Sequence, residues 1–308
     1  MKICKYAIMA ALLPMSGILA TSCKGVEEGE NTQTRTVGVT QLVIPDDATK
    51  EVTFEIKCTY SLRMDFMTNK MTISGSGIKV GGITGDFRTE PVTFLVGGGV
   101  GSEAFYFPTV TTGMLGSSHP VTDLKGYLFN YRAPWNSSML VSSLVMSYKV
   151  DDATVKTINT EPRYFGTTTT YFPTPAGDQT ATTEDASYGV EFSEDMKKAT
   201  VTIYNIKFAP NMPSALEAVI LKDLDVTLDR NGYTISGGGG FIPDVREGAT
   251  STPYPNFPFS TFTLSTKGEY CTEVDCHYEV DATIAGHTMH FRADFSGKSA
   301  DFLELKPL

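Results

Sequence analysis

The sequence predicts an all-β protein, with two similar antiparallel β-barrel or β-sandwich domains behind a lipoprotein signal and a flexible tether. Three observations predict it. Apolar and polar residues alternate with a period of two, as where Val52, Phe54 and Ile56 interleave with Thr53, Glu55 and Lys57. That is the pattern of a strand with one buried face. Turn chemistry separates such runs at Thr68-Asn69, Asp195-Met196-Lys197 and Asp229-Arg230-Asn231-Gly232, the last carrying the Asn-Gly pair of a tight hairpin. Short segments also recur in the same order in the two halves. Only Pro213 to Leu221 has helical spacing, and Val226 and Leu228 continue it with strand spacing, so strand is favoured there too.

The first 22 residues read as an export signal. Lys2 and Lys5 form a basic head, and an apolar stretch runs from Tyr6 to Ala20, interrupted by Pro14, Ser16 and Gly17. It is too short and too broken for a permanent span. Leu19-Ala20-Thr21-Ser22 leads into Cys23, which we expect to carry lipid after cleavage. Several acyl chains on one cysteine give a stable anchor, since stable attachment needs more than one. Residues 23–49 are expected as a polar, flexible tether, although Val37, Val39 and Leu42-Val43-Ile44 are apolar enough to add an early strand.

Cleavage removes two lysines and leaves 23 basic against 35 acidic residues, a formal charge of -12 (23 minus 35). That balance argues against nucleic acid, whose binders present a basic face. Apolar content of 41% suffices for real cores, while the 28 Gly and 16 Pro favour strands and turns.

Lys70-Met71-Thr72-Ile73 matches Lys198-Ala199-Thr200-Val201 at an offset of 128, and Ile78-Lys79-Val80 matches Ile206-Lys207-Phe208 at the same offset. Val92-Thr93-Phe94 faces Val226-Thr227-Leu228 at 134, Lys125-Gly126 faces Lys267-Gly268 at 142, and Tyr148-Lys149-Val150-Asp151 faces Tyr278-Glu279-Val280-Asp281 at 130. A duplication with insertions accounts for the drift. It places one β-rich domain over 50–166 and another over 187–308. The Thr- and Pro-rich stretch 167–186 reads as a linker.

The hairpin from Phe192 to Phe208, the Met212-Pro213 segment and the strand-turn-strand from Asp223 to Ile235 resemble tandem calycin-like (lipocalin-like) barrel lipoproteins of Bacteroidota. Lys24-Gly25-Val26-Glu27-Glu28-Gly29-Glu30 resembles the lysine-then-acidic tag of surface lipoproteins in the same bacteria, which implies a lipid-anchored outer-membrane protein exposed at the surface. No Gly-x-Trp signature stands near the first strand, and the sole tryptophan is Trp135. The resemblance therefore implies the barrel rather than the lipocalin ligand role. Fimbrillin-like sandwiches are the competing family.

The candidate chemistry is sparse. Cys271 and Cys276 bracket four residues, a loop length suited to a hairpin disulfide in an oxidising compartment; Cys58 reads as a buried thiol. Cys276, His277, His287 and His290 cluster in sequence, but their strand spacing sends them to opposite faces, so no metal is expected. Ser74-Gly75-Ser76-Gly77 lacks the helix that a nucleophile elbow needs. Gly97–Gly101 lacks the Lys-Ser/Thr ending of a phosphate loop, and it and Gly237–Gly240 read as bends or bulges. The pairs Asp151/Asp152 and Asp223/Asp225 read as solvated turn acids. The binding candidates are the aromatics Trp135, Tyr106, Phe107, Tyr254 and Phe257, several set beside proline. The expectation is a non-enzymatic binding or scaffold module without cofactor, for a small apolar molecule, a glycan or a protein. The alternatives are an adhesive fimbrial component and, further off, a hydrolase.

Overall fold

The computed structural model describes residues 26–27, 31–97, 102–107, 112–133, 136–159, 161–210, 212, 215–239, 242–243, 258–268, 270–284 and 287–299. Two antiparallel sheets account for them, and each closes on itself. The first comprises β1 (Val26–Glu27), β2 (Thr32–Pro45), β3 (Thr53–Asp65), β4 (Lys70–Val80), β5 (Ile83–Thr89), β6 (Val92–Thr93), β7 (Leu95–Gly97), β8 (Ser102–Phe107), β9 (Gly113–Leu115), β10 (His119–Ala133), β11 (Asn136–Val150) and β12 (Ala153–Ile158). The second comprises β13 (Arg163–Thr174), β14 (Gly177–Phe192), β15 (Lys198–Ile206), β16 (Leu216–Leu228), β17 (Tyr233–Gly239), β18 (Ile242–Pro243), β19 (Phe259–Lys267), β20 (Glu273–Ile284) and β21 (His287–Ser299).

In barrel one the ring runs β2-β3-β4-β5-β9-β10-β11-β12 and returns to β2. Pro91, which has no N–H to give, separates β5 from β6, yet β6 keeps its place beside β4. Likewise β8 and β9 both pair with β10, so each reads as part of one interrupted strand. In barrel two the ring is β13-β14-β15-β16-β17-β19-β20-β21 and back to β13. Both are eight-stranded up-and-down barrels, which removes the sheet edges that a sandwich leaves open. The sandwich alternative is thereby overturned.

The two barrels repeat one plan. Val37 pairs with Tyr60 and Tyr164 with Tyr188, offsets of 127 (164 minus 37) and 128 (188 minus 60). The register slips between Val39 and Gln41, and again at the matching place between Gly166 and Thr168. Gly77 and Asn205, 128 apart, both take left-handed backbone at φ 63° and 58°, a conformation glycine and asparagine tolerate best. The early matches at offset 128 are therefore structural. Two later ones are not. Lys70 pairs with Thr93 and Lys198 with Asp225, so the fourth strands align at 132 rather than 134. Lys125 sits opposite Ser147, whereas Lys267 sits opposite Glu273 at the far end of its strand.

The domain bounds read from the sequence also shift. The stretch 167–186, expected as a linker, is the body of the β13–β14 hairpin, and β2 rises out of the expected tether. Threonine misled there: it is polar enough for a linker but β-branched, and it suits a strand with one wet face. Between the barrels the chain needs only residues 159–162.

Barrel two rests on the outer wall of barrel one. Val37, Val39, Gln41 and Val43 point into the first lumen, while Leu42 and Ile44 on the other face join the buried cluster of barrel two with Ile158. Phe54 meets Phe192 at 6.3 Å between ring centroids, and Tyr127 meets Tyr270 at 6.2 Å. Val52, Phe54 and Ile56 alternate as the sequence predicts, but they face outward. An extra residue near Lys57, whose φ is 58°, returns Cys58 and Tyr60 to the lumen.

Candidate functional site

A small barrel either holds a ligand or fills its own lumen. Among the described residues, side chains occupy the middle of both lumens here, and both around tyrosine. In barrel one Tyr60, Tyr148 and Gln41 are fully buried. The two phenols lie 2.9 Å apart, Tyr148 donates to Gln41 Oε1 at 2.8 Å, and Tyr60 reaches the same oxygen. Gln41 in turn donates through Nε2 to the Lys79 carbonyl at 3.0 Å. Phe87 closes the space, 5.2 Å from the Tyr60 ring and 5.1 Å from that of Tyr148. Barrel two places Tyr188 and Tyr278 at the equivalent positions, hydroxyl to hydroxyl at 3.3 Å, with Thr168 standing for Gln41 at 3.1 Å from Tyr188. Phe295 stacks on Tyr188 with centroids 3.8 Å apart. A second phenol pair, Tyr164 with Tyr233, stoppers one end. Burial holds the hydroxyls of Tyr60, Tyr148, Tyr188, Tyr233 and Tyr278 well above the usual phenol range.

The aromatics singled out by the sequence do not form a site. Phe107 is a lumen residue of barrel one, fully buried. Tyr106 faces outward but packs on Tyr127 at 5.9 Å, in the seam against barrel two. Strand alternation explains both, since neighbours on β8 take opposite faces and both faces there are covered. Trp135, Tyr254 and Phe257 lie outside the described residues, as does Cys23.

The cysteine pair is also corrected. Cys58, Cys271 and Cys276 are all buried free thiols. The hairpin turn lies before Glu273, so Cys271 sits in the turn and Cys276 sits up one arm, opposite Leu264. The three-residue step from Glu273 to Cys276 covers roughly 10 Å of strand, beyond disulfide reach. Cys271 instead donates to the Asn231 carbonyl at 3.4 Å. Burial pushes the Cys58 thiol up to about 11 and raises Cys271 and Cys276 as well.

Cys276 points into the lumen and His277 out of it, as strand alternation requires. His277 Nδ1 meets Asp294 Oδ1 at 2.7 Å on the outer face, and His290 meets Asp281 at 2.8 Å. Among the described residues no group of three or more histidine, cysteine or acidic side chains is placed to hold a metal ion. Ser74-Gly75-Ser76-Gly77 lies within β4, and Gly237–Gly239 within β17, where the register slips as a bulge.

What the sequence did not single out is a depression of about 560 Å³ on the outer wall of barrel two. Cross-strand register builds it. Thr169, Asp294, His277 and Thr263 form one row across β13, β21, β20 and β19, and Thr167, Ser296, Asp275 and Ser265 form the next. Lys267 Nζ bonds both oxygens of Asp275 at 2.7 Å, and that bond, with the Ser296 hydroxyl behind it, holds the carboxyl below its usual range. At the margin the Arg292 guanidinium lies 5.0 Å from the Tyr171 ring centroid and pairs with Asp178 at 3.1 Å. Hydroxyls, carboxylates, an imidazole and one ring edge thus share an open face. The signal was the alternating Thr167-Thr168-Thr169-Thr170 run itself, once it is placed on a strand.

No family model and no curated protein matches the chain. Solved structures with a likeness include a double mutant of transferrin binding protein B from Haemophilus parasuis Hp5, at 11% identity. That match covers 90% of this chain and 76% of that chain, with a TM-score of 0.28. The isotype 1 protein from serogroup B Neisseria meningitidis is 10% identical over 87% of this chain and 77% of that chain, with a TM-score of 0.27. The intact Ap protein, with its N and C lobes, is 12% identical over 86% and 76%, with a TM-score of 0.26. At these identities and scores, nothing that those proteins bind passes to this chain.

Proposed function

We propose that the chain is a lipid-anchored, surface-exposed envelope protein, held by Cys23, that acts as a non-enzymatic binding module through its outer walls. The lumens support this reading: among the described residues Tyr60 is bonded to Tyr148 and Tyr188 to Tyr278, all fully buried at the place where an apolar cargo would sit. That argues against carriage of a small apolar molecule. The depression on barrel two is the face we favour. Its rows of hydroxyls and carboxylates suit a polyhydroxylated ligand such as a glycan, for which dense hydrogen bonding is the usual recognition chemistry.

The test has two arms. A fluorescent fatty acid titrated into the purified protein should show no saturable uptake, and stoichiometric uptake would overturn the filled-lumen reading. A glycan array should give hits that are lost in Asp294→Asn and His277→Ala while the circular dichroism is unchanged. Hits untouched by both variants would move binding away from this face.

A further inference from the structure

One end of barrel one exposes large apolar side chains beside the polar Thr68, Asn69, Lys70 and Glu90. The β3–β4 turn carries Phe66 and Met67, and β7 carries Leu95 and Val96, with exposures of 37%, 73%, 50% and 53%. Phe66 is propped edge-on by Phe94 at 5.6 Å and Phe105 at 5.9 Å, so its ring is held at the tip rather than folded away. The opposite end is polar throughout: Asp46-Asp47-Ala48-Thr49-Lys50, Gly81-Gly82, Gly116-Ser117-Ser118 and Asp151-Asp152 are all exposed there. Large apolar side chains exposed together at one pole of a barrel suit a contact surface.

The chain enters the barrel at that same apolar pole. Thr32 pairs with Asp65, and the Phe66 N–H donates to the Asn31 carbonyl at 2.9 Å. Before it, Val26 lies beside Thr34 in β1. Cys23 is three residues from Val26 (26 minus 23), a reach of roughly 10 Å at full extension. A lipidated Cys23 therefore cannot carry the apolar pole far from the membrane. Barrel two meets barrel one at Leu42, Ile44 and Phe54 and again at Tyr106 and Tyr127, beside β7, but it leaves Phe66 and Met67 exposed at the tip of the β3–β4 turn.

We propose that Phe66, Met67, Leu95 and Val96 seat in the headgroup–acyl boundary of the bilayer that holds the anchor. Barrel one would then stand on its apolar pole and point its acidic pole outward. This rests on the reading of Cys23 as lipidated. The partner is a lipid surface because the one macroscopic apolar phase within reach of the tether is the membrane. An acyl anchor and a shallow apolar contact reinforce each other by effective concentration, and neither has to be strong alone.

The test uses the full lipidated protein in vesicles of phosphatidylethanolamine and phosphatidylglycerol. An environment-sensitive dye is placed at Met67→Cys, at Val96→Cys and, as control, at Ala48→Cys on the polar pole; the native thiols are buried and react slowly. At positions 67 and 96 the emission should shift to the blue and lose most of its intensity to nitroxide lipids. At position 48 it should do neither. Flotation with the vesicles but water-like emission at 67 and 96 would overturn the seating and leave the anchor standing. Failure to float would overturn both. Shielding at 67 without lipid, accompanied by dimer sedimentation, would assign the pole to a second copy and also overturn the proposal.

Discussion

Tyr60 and Tyr148 come from the second and the seventh strands of their barrel, yet their hydroxyls meet at 2.9 Å at the centre of the lumen. Tyr188 and Tyr278 meet in the same way at 3.3 Å in the second barrel. A phenol pair in a lumen lines it with polar atoms that must bond to each other, and Gln41 or Thr168 supplies the further partner. The pairing fixes which strands lie across from one another.

Gln41→Leu should therefore destabilise barrel one well beyond its loss of volume. It leaves two buried phenols without their shared acceptor, at a cost of roughly 1–3 kcal/mol. Tyr148→Phe should cost less, about 1 kcal/mol, because Tyr60 keeps the glutamine. Urea unfolding midpoints of the two variants check the order.

At alkaline pH the buried phenols resist ionisation. An unfolded chain releases these protons at pH ~10, whereas Tyr60, Tyr148, Tyr188, Tyr233 and Tyr278, buried in the folded barrels, hold theirs well beyond it. Their contribution is thus fully present below pH 10 and is lost as pH rises above it towards the folded values. Ultraviolet phenolate absorbance should rise in two stages: a reversible one from the tyrosines outside the lumens, then an abrupt one coincident with loss of the strand signal in circular dichroism. A single smooth titration would contradict the filled lumens.

The thiols should behave alike. Without reductant, iodoacetamide should leave Cys58, Cys271 and Cys276 largely unmodified in the native protein and alkylate all three in denaturant, because each is a buried free thiol. Peptide mapping reads this directly. A Cys271–Cys276 cross-link in the unreduced digest would refute the placement of the β19–β20 turn.

Leu42→Ala and Leu62→Ala remove the same side chain from opposite faces of one barrel, and both residues are fully buried. Each should cost about 2–5 kcal/mol, but by different routes. Leu62→Ala weakens barrel one itself. Leu42→Ala loosens the seam, so it should speed proteolytic cleavage in the connection at 159–162 while leaving barrel one resistant.

Much of this was legible in the residues. Period-two alternation marked the strands, Asp195 and Asp229 marked turns that they do cap through their side-chain oxygens, and the Lys70 and Lys198 segments marked a duplication. Three features were hidden, each for a physical reason. β2 is buried on both faces, so Leu42-Val43-Ile44 shows no alternation to read. The threonine hairpin imitates a linker by composition. The aromatic-proline theme offers binding candidates, whereas Phe107 is in the core; which face a strand residue takes depends on register, and a single bulge, as at Lys57, reverses it. The outer depression was beyond reach because its residues come together only through pairing of four strands.

β2 is the first full strand of the first barrel, and it is also the ledge on which the second barrel sits. With the proposed anchor at Cys23, traction between the membrane and a bound partner would pass along it. It is flanked lengthwise by β3 and β12, so a pull from the N-terminus loads those hydrogen bonds together in shear rather than unzipping them one by one. The strand that ties the molecule down is thereby the one best placed to bear strain.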